Sequence, residues 1–141
     1  MKNKASKIIA KMFEKDAFSK WLGIEILNQR PGFVTLQMSV RKEMLNGFDI
    51  LHGGISYALA DSALAFASNG HGRKSVSIET SISHIESCTE NDILIAEVTE
   101  MSLSEKIGIY QVQVKNQHQK TLALFKGTVY RSTKKWELNR P

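Results

Sequence analysis

The sequence predicts an α+β domain in which an antiparallel sheet wraps around one long central helix. Residues 53–68, GGISYALADSALAFAS, are apolar on most sides, which is typical of a helix that is buried all round. The segments on both sides of this helix alternate apolar and polar residues, which favours strands. The resulting order is helix, hairpin, buried helix and four further strands.

An amphipathic helix opens the chain. Within residues 5–21 the apolar side chains recur at helical spacing, with lysines between them. We assign residues 1–20 to this N-terminal helix and expect it to pack against its own domain. A hairpin follows, with strands at 23–29 and 33–40, and Asn46-Gly47 is the strongest turn signal in the loop of residues 41–52.

Four strands are predicted after the central helix, at residues 76–84, 93–103, 107–115 and 121–131. Their connectors centre on residues 90–92, 102–106 and 116–120, and each is short enough for an antiparallel meander. Residues 132–141 remain as a C-terminal tail. A chain of 141 residues is too short for two ordinary domains, so we expect residues 1–141 to form one domain.

The net charge of +5 is concentrated at the two ends of the chain. Residues 1–20 carry +4 and residues 131–141 carry +3, so the middle is about −2. A nucleic-acid-binding protein concentrates Lys and Arg on one face of its fold, so we expect no nucleic-acid partner. We interpret the basic ends as solvated surface or as an aid in attracting an anionic ligand.

The remaining composition restricts the class of protein further. No apolar run is long enough for a signal-peptide core or a membrane span, so we expect a soluble, cytoplasmic protein without a membrane partner. Cys88 is the only cysteine, which excludes an intrachain disulfide, and we expect its thiol to be passive. The four histidines and Cys88 show no zinc-ligand spacing, and we predict no metal.

Asp61 is the first candidate for chemistry, because it interrupts the apolar helix between Leu59-Ala60 and Ala63-Leu64. Burial of an ionised carboxylate without a hydrogen-bond or ion-pair partner costs on the order of several kcal/mol of hydration free energy. An Asp in a helix often lies on a narrow exposed stripe instead. The apolar residues on both sides of Asp61 favour a functional carboxylate over one that is simply exposed.

The second candidate is His52-Gly53-Gly54 at the start of the same helix. Unpaired backbone N–H groups and the positive end of the helix dipole can hold a developing oxyanion there. Glycine lets a ligand approach the backbone closely. A histidine in this position often has a capping or packing role, so positioning is the preferred interpretation for His52.

Spacing along the helix separates the two candidates. Gly53 and Asp61 are eight residues apart, and at about 1.5 Å rise per residue this is roughly 12 Å. An oxyanion donor and a base must each lie within roughly 3 Å of the reacting group. If both act in one reaction, Asp61 must meet the Gly53 of a second chain, which predicts a homo-oligomer with shared sites.

Three features of the sequence occur together: the run Asn46-Gly-Phe-Asp-Ile-Leu-His52-Gly-Gly through Leu-Ala-Asp61, the strand Val76-Ser-Ile-Glu-Thr, and the final strands. Together they resemble the hotdog-fold acyl-CoA thioesterases of the phenylacetate-degradation (PaaI) type. The resemblance covers roughly residues 20–132. It implies hydrolysis of aryl- or medium-chain acyl-CoA by a dimer or a dimer of dimers, such as a homotetramer. No cofactor is implied beyond the coenzyme A of the substrate.

The resemblance also implies roles for individual residues. The Gly53 N–H would polarise the thioester carbonyl, and Asp61 of the partner chain would act as general base or nucleophile. Asn46 and His52 would shape the carbonyl pocket, and Ser77 would help to place water. Contacts with coenzyme A are expected near the following residues: His84, Ser102, Ser104 and Lys106. The alternatives are that His84 is a core residue of its strand and that the other three form an ordinary polar hairpin tip. At Glu86-Ser87-Cys88 the chain departs from the Arg-Pro-Gly-like segment that is common in the family.

Two other functions fit the same pattern. A hotdog enoyl-CoA hydratase or dehydratase also places an acid or base against an acyl thioester, and its product keeps the thioester bond. A non-catalytic acyl-CoA-binding module would use the same pocket without releasing thiol. Product analysis distinguishes all three.

Overall fold

The computed structural model describes residues 3–138 as three α-helices, one short 3-10 turn and one six-stranded antiparallel sheet. The helices are α1 (Lys4–Glu14), α2 (Ala17–Leu22) and α3 (Gly53–Asn69). The strands are β1 (Glu25–Arg30), β2 (Phe33–Ser39), β3 (Arg73–His84), β4 (Ile93–Leu103), β5 (Ile107–Lys115) and β6 (Thr121–Lys135). Their order across the sheet is β1-β2-β4-β5-β6-β3.

The sheet packs around α3, which contacts every strand from β2 to β6. Small side chains on α3 make this close approach possible, and Ala60, Ala63 and Ala67 are fully buried. At Gly127 of β6 an added Cβ would lie 2.5 Å from the Leu64 side chain, so the strand approaches the helix too closely for any side chain there. The predicted central helix therefore forms the core together with the inner face of the sheet.

The predicted amphipathic helix at the N-terminus is present, but it ends at Glu14, and the prediction that one helix runs through residues 1–20 is wrong. The structure has two helices, α1 and α2, and residues 1 and 2 lie outside the described part of the chain. The break occurs because Asp16 caps α2: its side chain accepts hydrogen bonds from the backbone N–H of Ser19 at 3.0 Å and from the Ser19 hydroxyl at 2.6 Å. Such local bonds compete with the helix ladder at Asp residues.

The expectation that α3 is buried all round is also wrong for the single chain. Gly54 is exposed, and Ala58, Asp61 and Ala65 are half-buried. These residues follow one another at intervals of three or four, so they form one stripe along the helix. Asp61 lies on this stripe rather than in the core.

The meander predicted for the last four strands holds only for β4, β5 and β6. Strand β3 pairs with β6 at the opposite side of the sheet from β4. Residues 85–92 make the crossing, and the backbone N–H of Leu51 donates to Cys88 O at 2.8 Å on the way. A turn signal at residues 90–92 fits a hairpin between neighbouring strands as well as the end of a connection across the sheet. The sequence therefore did not distinguish these two connections.

Strand β6 continues four residues beyond its predicted end, to Lys135, into the region assigned to a C-terminal tail. Its last residues pair with the first residues of β3, with Arg73 opposite Lys135. Residues 139–141 of that tail lie outside the described residues. Among the helices of residues 3–138, none has both the length and the apolar character that a membrane crossing requires.

Candidate active site

The start of α3 presents one free backbone donor. His52 caps the helix, because its Nδ1 accepts a hydrogen bond from Gly54 N–H at 2.9 Å. Ile55 N–H donates to His52 O at 3.0 Å. Within residues 3–138, Gly53 N–H has no partner, although it stands at the positive end of a 17-residue helix. This N–H is therefore available to an anionic oxygen.

His84, at the end of β3, lies directly over Gly53. A Cβ added to Gly53 would lie 2.9 Å from His84 Nε2, so the imidazole ring would have to shift to admit any side chain there. Ser56 joins the two elements, since its hydroxyl donates to Gly53 O at 3.1 Å and lies 3.4 Å from His84 Nδ1. The sequence suggested His84 only as a contact for coenzyme A. Its position over Gly53 is a tertiary contact, which a sequence pattern does not indicate.

Asn46 borders the same cleft from the preceding loop. Its Oδ1 accepts hydrogen bonds from Phe48 N–H at 2.8 Å and Ile50 N–H at 3.4 Å, which closes the loop predicted from Asn46-Gly47. Its side-chain N–H₂ group has no partner in the part of the chain that the structure describes. The cleft has a volume of about 340 Å³ and includes Asn46, Gly53, Ser56, His84 and Glu86 in its lining. We call it the helix-start cleft.

Asp61 borders a second cleft, between α3 and β3. This Asp61 cleft has a volume of about 420 Å³, and Leu64, Val76, Ser77 and Trp136 contribute to its lining. No hydrogen-bond or ion-pair partner for the Asp61 carboxylate occurs among residues 3–138. Burial raises the pKa of Asp61 above its ordinary value, because the carboxylate has lost part of its hydration.

The structure therefore separates the predicted site residues into two groups. Asn46, Gly53 and His84 lie at the helix-start cleft, and His52 caps the helix beside it. Asp61 and Ser77 lie at the other cleft. No residue lines both clefts, which agrees with the roughly 12 Å that the helix rise puts between Gly53 and Asp61.

The predicted coenzyme A contacts in the β4–β5 hairpin lie at neither cleft. Ser102, Ser104 and Lys106 are exposed. The Ser104 hydroxyl closes the hairpin tip, since it accepts from Ile107 N–H at 3.1 Å. Their role in binding stays a prediction.

The geometry gives little support for Cys88 as a nucleophile or for a metal-ligand cluster within residues 3–138. Burial, with a smaller contribution from Asp92, raises the pKa of Cys88 to about 11, so its sulfur is a thiol and a poor nucleophile at neutral pH. In the described range 3–138 no three His, Cys, Asp or Glu side chains converge as metal ligands.

Comparison with known protein families gives one match, to the thioesterase superfamily, over residues 48–123. This range contains both clefts' central residues, Gly53 and Asp61.

Individual relatives match over most of the chain. A putative esterase of Archaeoglobus fulgidus is 42% identical over 120 residues, which cover 85% of this chain and 78% of that protein. The acyl-coenzyme A thioesterase PaaI of Escherichia coli is 37% identical over 131 residues, covering 93% of this chain and 94% of that protein.

Solved structures match the whole architecture. The E. coli PaaI protein from the phenylacetic acid degradation operon superimposes with a TM-score of 0.91 at 36% identity, covering 94% of this chain and 96% of that one. The Thermus thermophilus protein TT0310 gives a TM-score of 0.80 at 36% identity, covering 84% and 99%. These matches and the sheet around α3 confirm the predicted hotdog fold.

Proposed function

Because this chain belongs to the thioesterase superfamily, whose members cleave thioesters, we propose that it hydrolyses acyl-CoA thioesters with an aryl or medium-chain acyl group. The observation that carries the proposal is the unpartnered Gly53 N–H at the start of α3. Its matched relative in E. coli is an acyl-coenzyme A thioesterase. The products are the free acid and coenzyme A.

Gly53 N–H donates to the thioester carbonyl oxygen in this mechanism. Negative charge develops on that oxygen when a nucleophile adds to the carbonyl, and a fixed donor at a helix start stabilises it without reorganisation. His52 fixes the helix start by capping it. Asn46 and His84 shape the carbonyl pocket around Gly53.

Asp61 of the partner subunit activates the attacking water as general base. Its raised pKa makes it a stronger base than an ordinary Asp, and the absence of a carboxylate partner within residues 3–138 leaves its lone pairs free for water. Ser77 borders the same cleft and positions that water. The thiolate of coenzyme A is a good leaving group, so donor and base suffice without a metal or cofactor.

Strand β3 supports a dimer that would bring the two clefts together. It is an edge strand with only β6 as a neighbour, and Val76 and Ile78 are 65% and 58% exposed. An exposed apolar edge is a ready surface for pairing with another strand. Antiparallel pairing of two β3 strands about a two-fold axis would set the His84 end of one strand beside the Arg73–Ser77 end of the other.

Subunit complementation tests the shared site. Asp61→Asn and Gly53→Val should each lose at least about 100-fold in kcat, because the first removes the base of every site and the second fills the space beside the donor N–H with a side chain. When the two inactive variants are denatured, mixed in equal amounts and refolded, half of the dimers are mixed. Each mixed dimer has one intact pair of Gly53 and Asp61, so about a quarter of wild-type activity should return.

Thiol release from acyl-CoA measures this activity, and circular dichroism and light scattering check that each variant is folded and dimeric. Each variant refolded alone is the matched control and should stay inactive. Mixtures as inactive as the separate variants would contradict a site shared between subunits. Activity without free thiol, with a changed enoyl absorbance, would indicate the hydratase alternative instead.

A further inference from the structure

The basic ends of the chain meet in one cleft of the fold. Lys11 comes from α1 and Lys15 follows the end of that helix, Lys74 comes from β3, and Lys134 and Lys135 come from the end of β6. With Trp136 they line a cleft of about 880 Å³, whose acidic lining residues are Asp16 and Glu137. We call it the lysine cleft.

Hydrogen bonds hold Trp136, one wall of this cleft, in place. The indole N–H of Trp136 donates to Asn69 Oδ1 at 2.9 Å, and Trp136 N–H donates to Gly72 O at 2.8 Å. Asn69 is buried and also bonds the backbone of Ser75, accepting its N–H at 2.9 Å and donating to its carbonyl at 3.0 Å. Trp136 is thus held against the end of α3 and the turn before β3.

The lysines of the cleft outnumber the carboxylates that line it. The Lys11 ammonium group donates to the Glu137 backbone carbonyl at 2.6 Å, and Lys74 lies 5.0 Å from the centre of the Trp136 ring. Five cations against two carboxylates leave a positive cleft that favours an anion.

The lysine cleft is continuous with the Asp61 cleft, because Met12, Lys74 and Trp136 line both. Lys74 is three residues from Ser77 along β3, which is about 10 Å in an extended strand. The five carbon–carbon bonds of a six-carbon dicarboxylic acyl chain, roughly 1.5 Å each and zigzagged, span about 6 Å, and the flexible Lys74 side chain can cover the remaining distance of about 4 Å. A medium-length acyl group that starts at Asp61 would therefore end among the lysines.

We propose that the lysine cleft binds a carboxylate at the far end of the acyl group, so that the preferred substrates are thioesters of dicarboxylic acids. This inference rests on the proposed function and specifies its substrate class. The Asp61 cleft would take the methylene chain between Leu64, Val76 and Trp136. The ammonium groups would then form charge-assisted hydrogen bonds with the distal carboxylate.

A matched pair of substrates tests the proposal: adipoyl-CoA and hexanoyl-CoA have the same chain length and differ in the distal carboxylate. We expect kcat/KM to be at least about tenfold higher for adipoyl-CoA in the wild-type enzyme. In Lys74→Gln and in the double variant Lys134→Gln/Lys135→Gln, the ratio of the two kcat/KM values should fall at least about tenfold. Lys126→Gln, an exposed lysine of β6 outside the three clefts, should keep the wild-type ratio.

The phosphates of coenzyme A are the other anions of the substrate, and pantetheine thioesters of the same two acids lack the nucleotide. An adipoyl preference that persists with pantetheine thioesters and falls in the lysine variants supports the proposal. The lysine variants could instead lose the same factor in kcat/KM for both CoA thioesters and lose nothing for the pantetheine thioesters. That result would show that the cleft binds the phosphates of coenzyme A, and it would overturn the proposal. An unchanged ratio in the lysine variants would overturn any anion site in this cleft.

A binding measurement separates this proposal from the proposed function. Adipate and hexanamide, which has the same chain length and no carboxylate, are titrated against the tryptophan fluorescence of the Trp21→Phe variant, in which Trp136 is the remaining tryptophan. A response to adipate alone, lost in Lys74→Gln, supports the anion site even if no thioester is hydrolysed. Hydrolysis of hexanoyl-CoA with no response to adipate would support the proposed function and overturn the anion site.

Discussion

At the level of single residues, the Asp61 carboxylate and the Gly53 backbone N–H both lack a partner among residues 3–138. Burial raises the pKa of Asp61, so the folded chain holds its proton more tightly than the unfolded chain. The ionised carboxylate therefore lowers the free energy of unfolding at pH values above the folded-state pKa. This destabilisation disappears as the pH falls toward the pKa of the unfolded chain, about 3.9.

Replacement of Asp61 by Asn should therefore stabilise the folded protein at pH 7. The change removes the ionised group and keeps its shape, so the free energy of unfolding should rise by up to about 1 kcal/mol. The gain should shrink between pH 7 and pH 4, where the wild-type carboxyl becomes protonated. Urea denaturation at the two pH values measures it. A less stable Asn variant at pH 7 would mean that Asp61 is held by a stabilising partner.

The contact between Gly53 and His84 predicts a coupled pair of substitutions. Gly53→Ala places a Cβ 2.9 Å from the His84 ring and should cost about 1–3 kcal/mol in the free energy of unfolding. In a His84→Ala background the same change should cost much less, because the clash is gone. Gly47→Ala is the matched control, since nothing lies within 4 Å of an added Cβ there. Additive effects in the double variant would contradict the contact.

At the level of elements, α3 connects the two half-sites and fixes their separation. Its first turn needs a cap because the first N–H groups of a helix lack partners in the preceding turn. His52 supplies that cap to Gly54 and leaves Gly53 N–H free. The capping interpretation of His52 is therefore borne out by the geometry, while its part in catalysis stays a proposal.

Loss of this cap should weaken the helix start. His52→Ala should lower the free energy of unfolding by about 1 kcal/mol, because Gly54 N–H then loses its acceptor. His52→Asn keeps a short side-chain acceptor and should recover most of that loss. Chemical denaturation of the three proteins measures both changes. Equal stability of His52→Ala and the wild type would show that the cap contributes nothing.

At the level of the whole molecule, both ends of the sheet are open edges, but they differ in exposure. Most residues of β3 are exposed on both faces of the strand, although its sequence alternates like a half-buried strand. Val76 and Ile78 therefore expose apolar area that a second β3 strand would cover. This exposure supports the proposed dimer, which a reaction shared by Gly53 and Asp61 would need.

A charge on this edge should separate the subunits. Ile78→Lys should shift the protein from dimer to monomer and lower thioester hydrolysis at least about tenfold, because each monomer holds only half-sites. Leu27→Lys, a matched change at a 52% exposed residue of the opposite edge strand β1, should stay dimeric and active. Light scattering at assay concentration checks both. A fully active Ile78→Lys monomer would contradict the shared site.

Much of the fold followed from local patterns in the sequence. Strands β4 and β5 have the predicted bounds, and α3 extends only one residue beyond its predicted end. These elements have strong alternation or a continuous apolar run between clear turn signals. The break at Asp16 and the extension of β6 to Lys135 were missed, because a side-chain cap and a partner strand decided them.

The sequence by itself determined that Gly53 and Asp61 lie too far apart to share a reaction within one chain, because helix rise is a local property of the backbone. Only the tertiary structure decided that His84 lies over Gly53, that β3 pairs with β6, and that the lysines of both chain ends meet beside Trp136. These contacts join residues far apart in the chain. Packing of the whole sheet around α3 sets them, and no local periodicity contains that information.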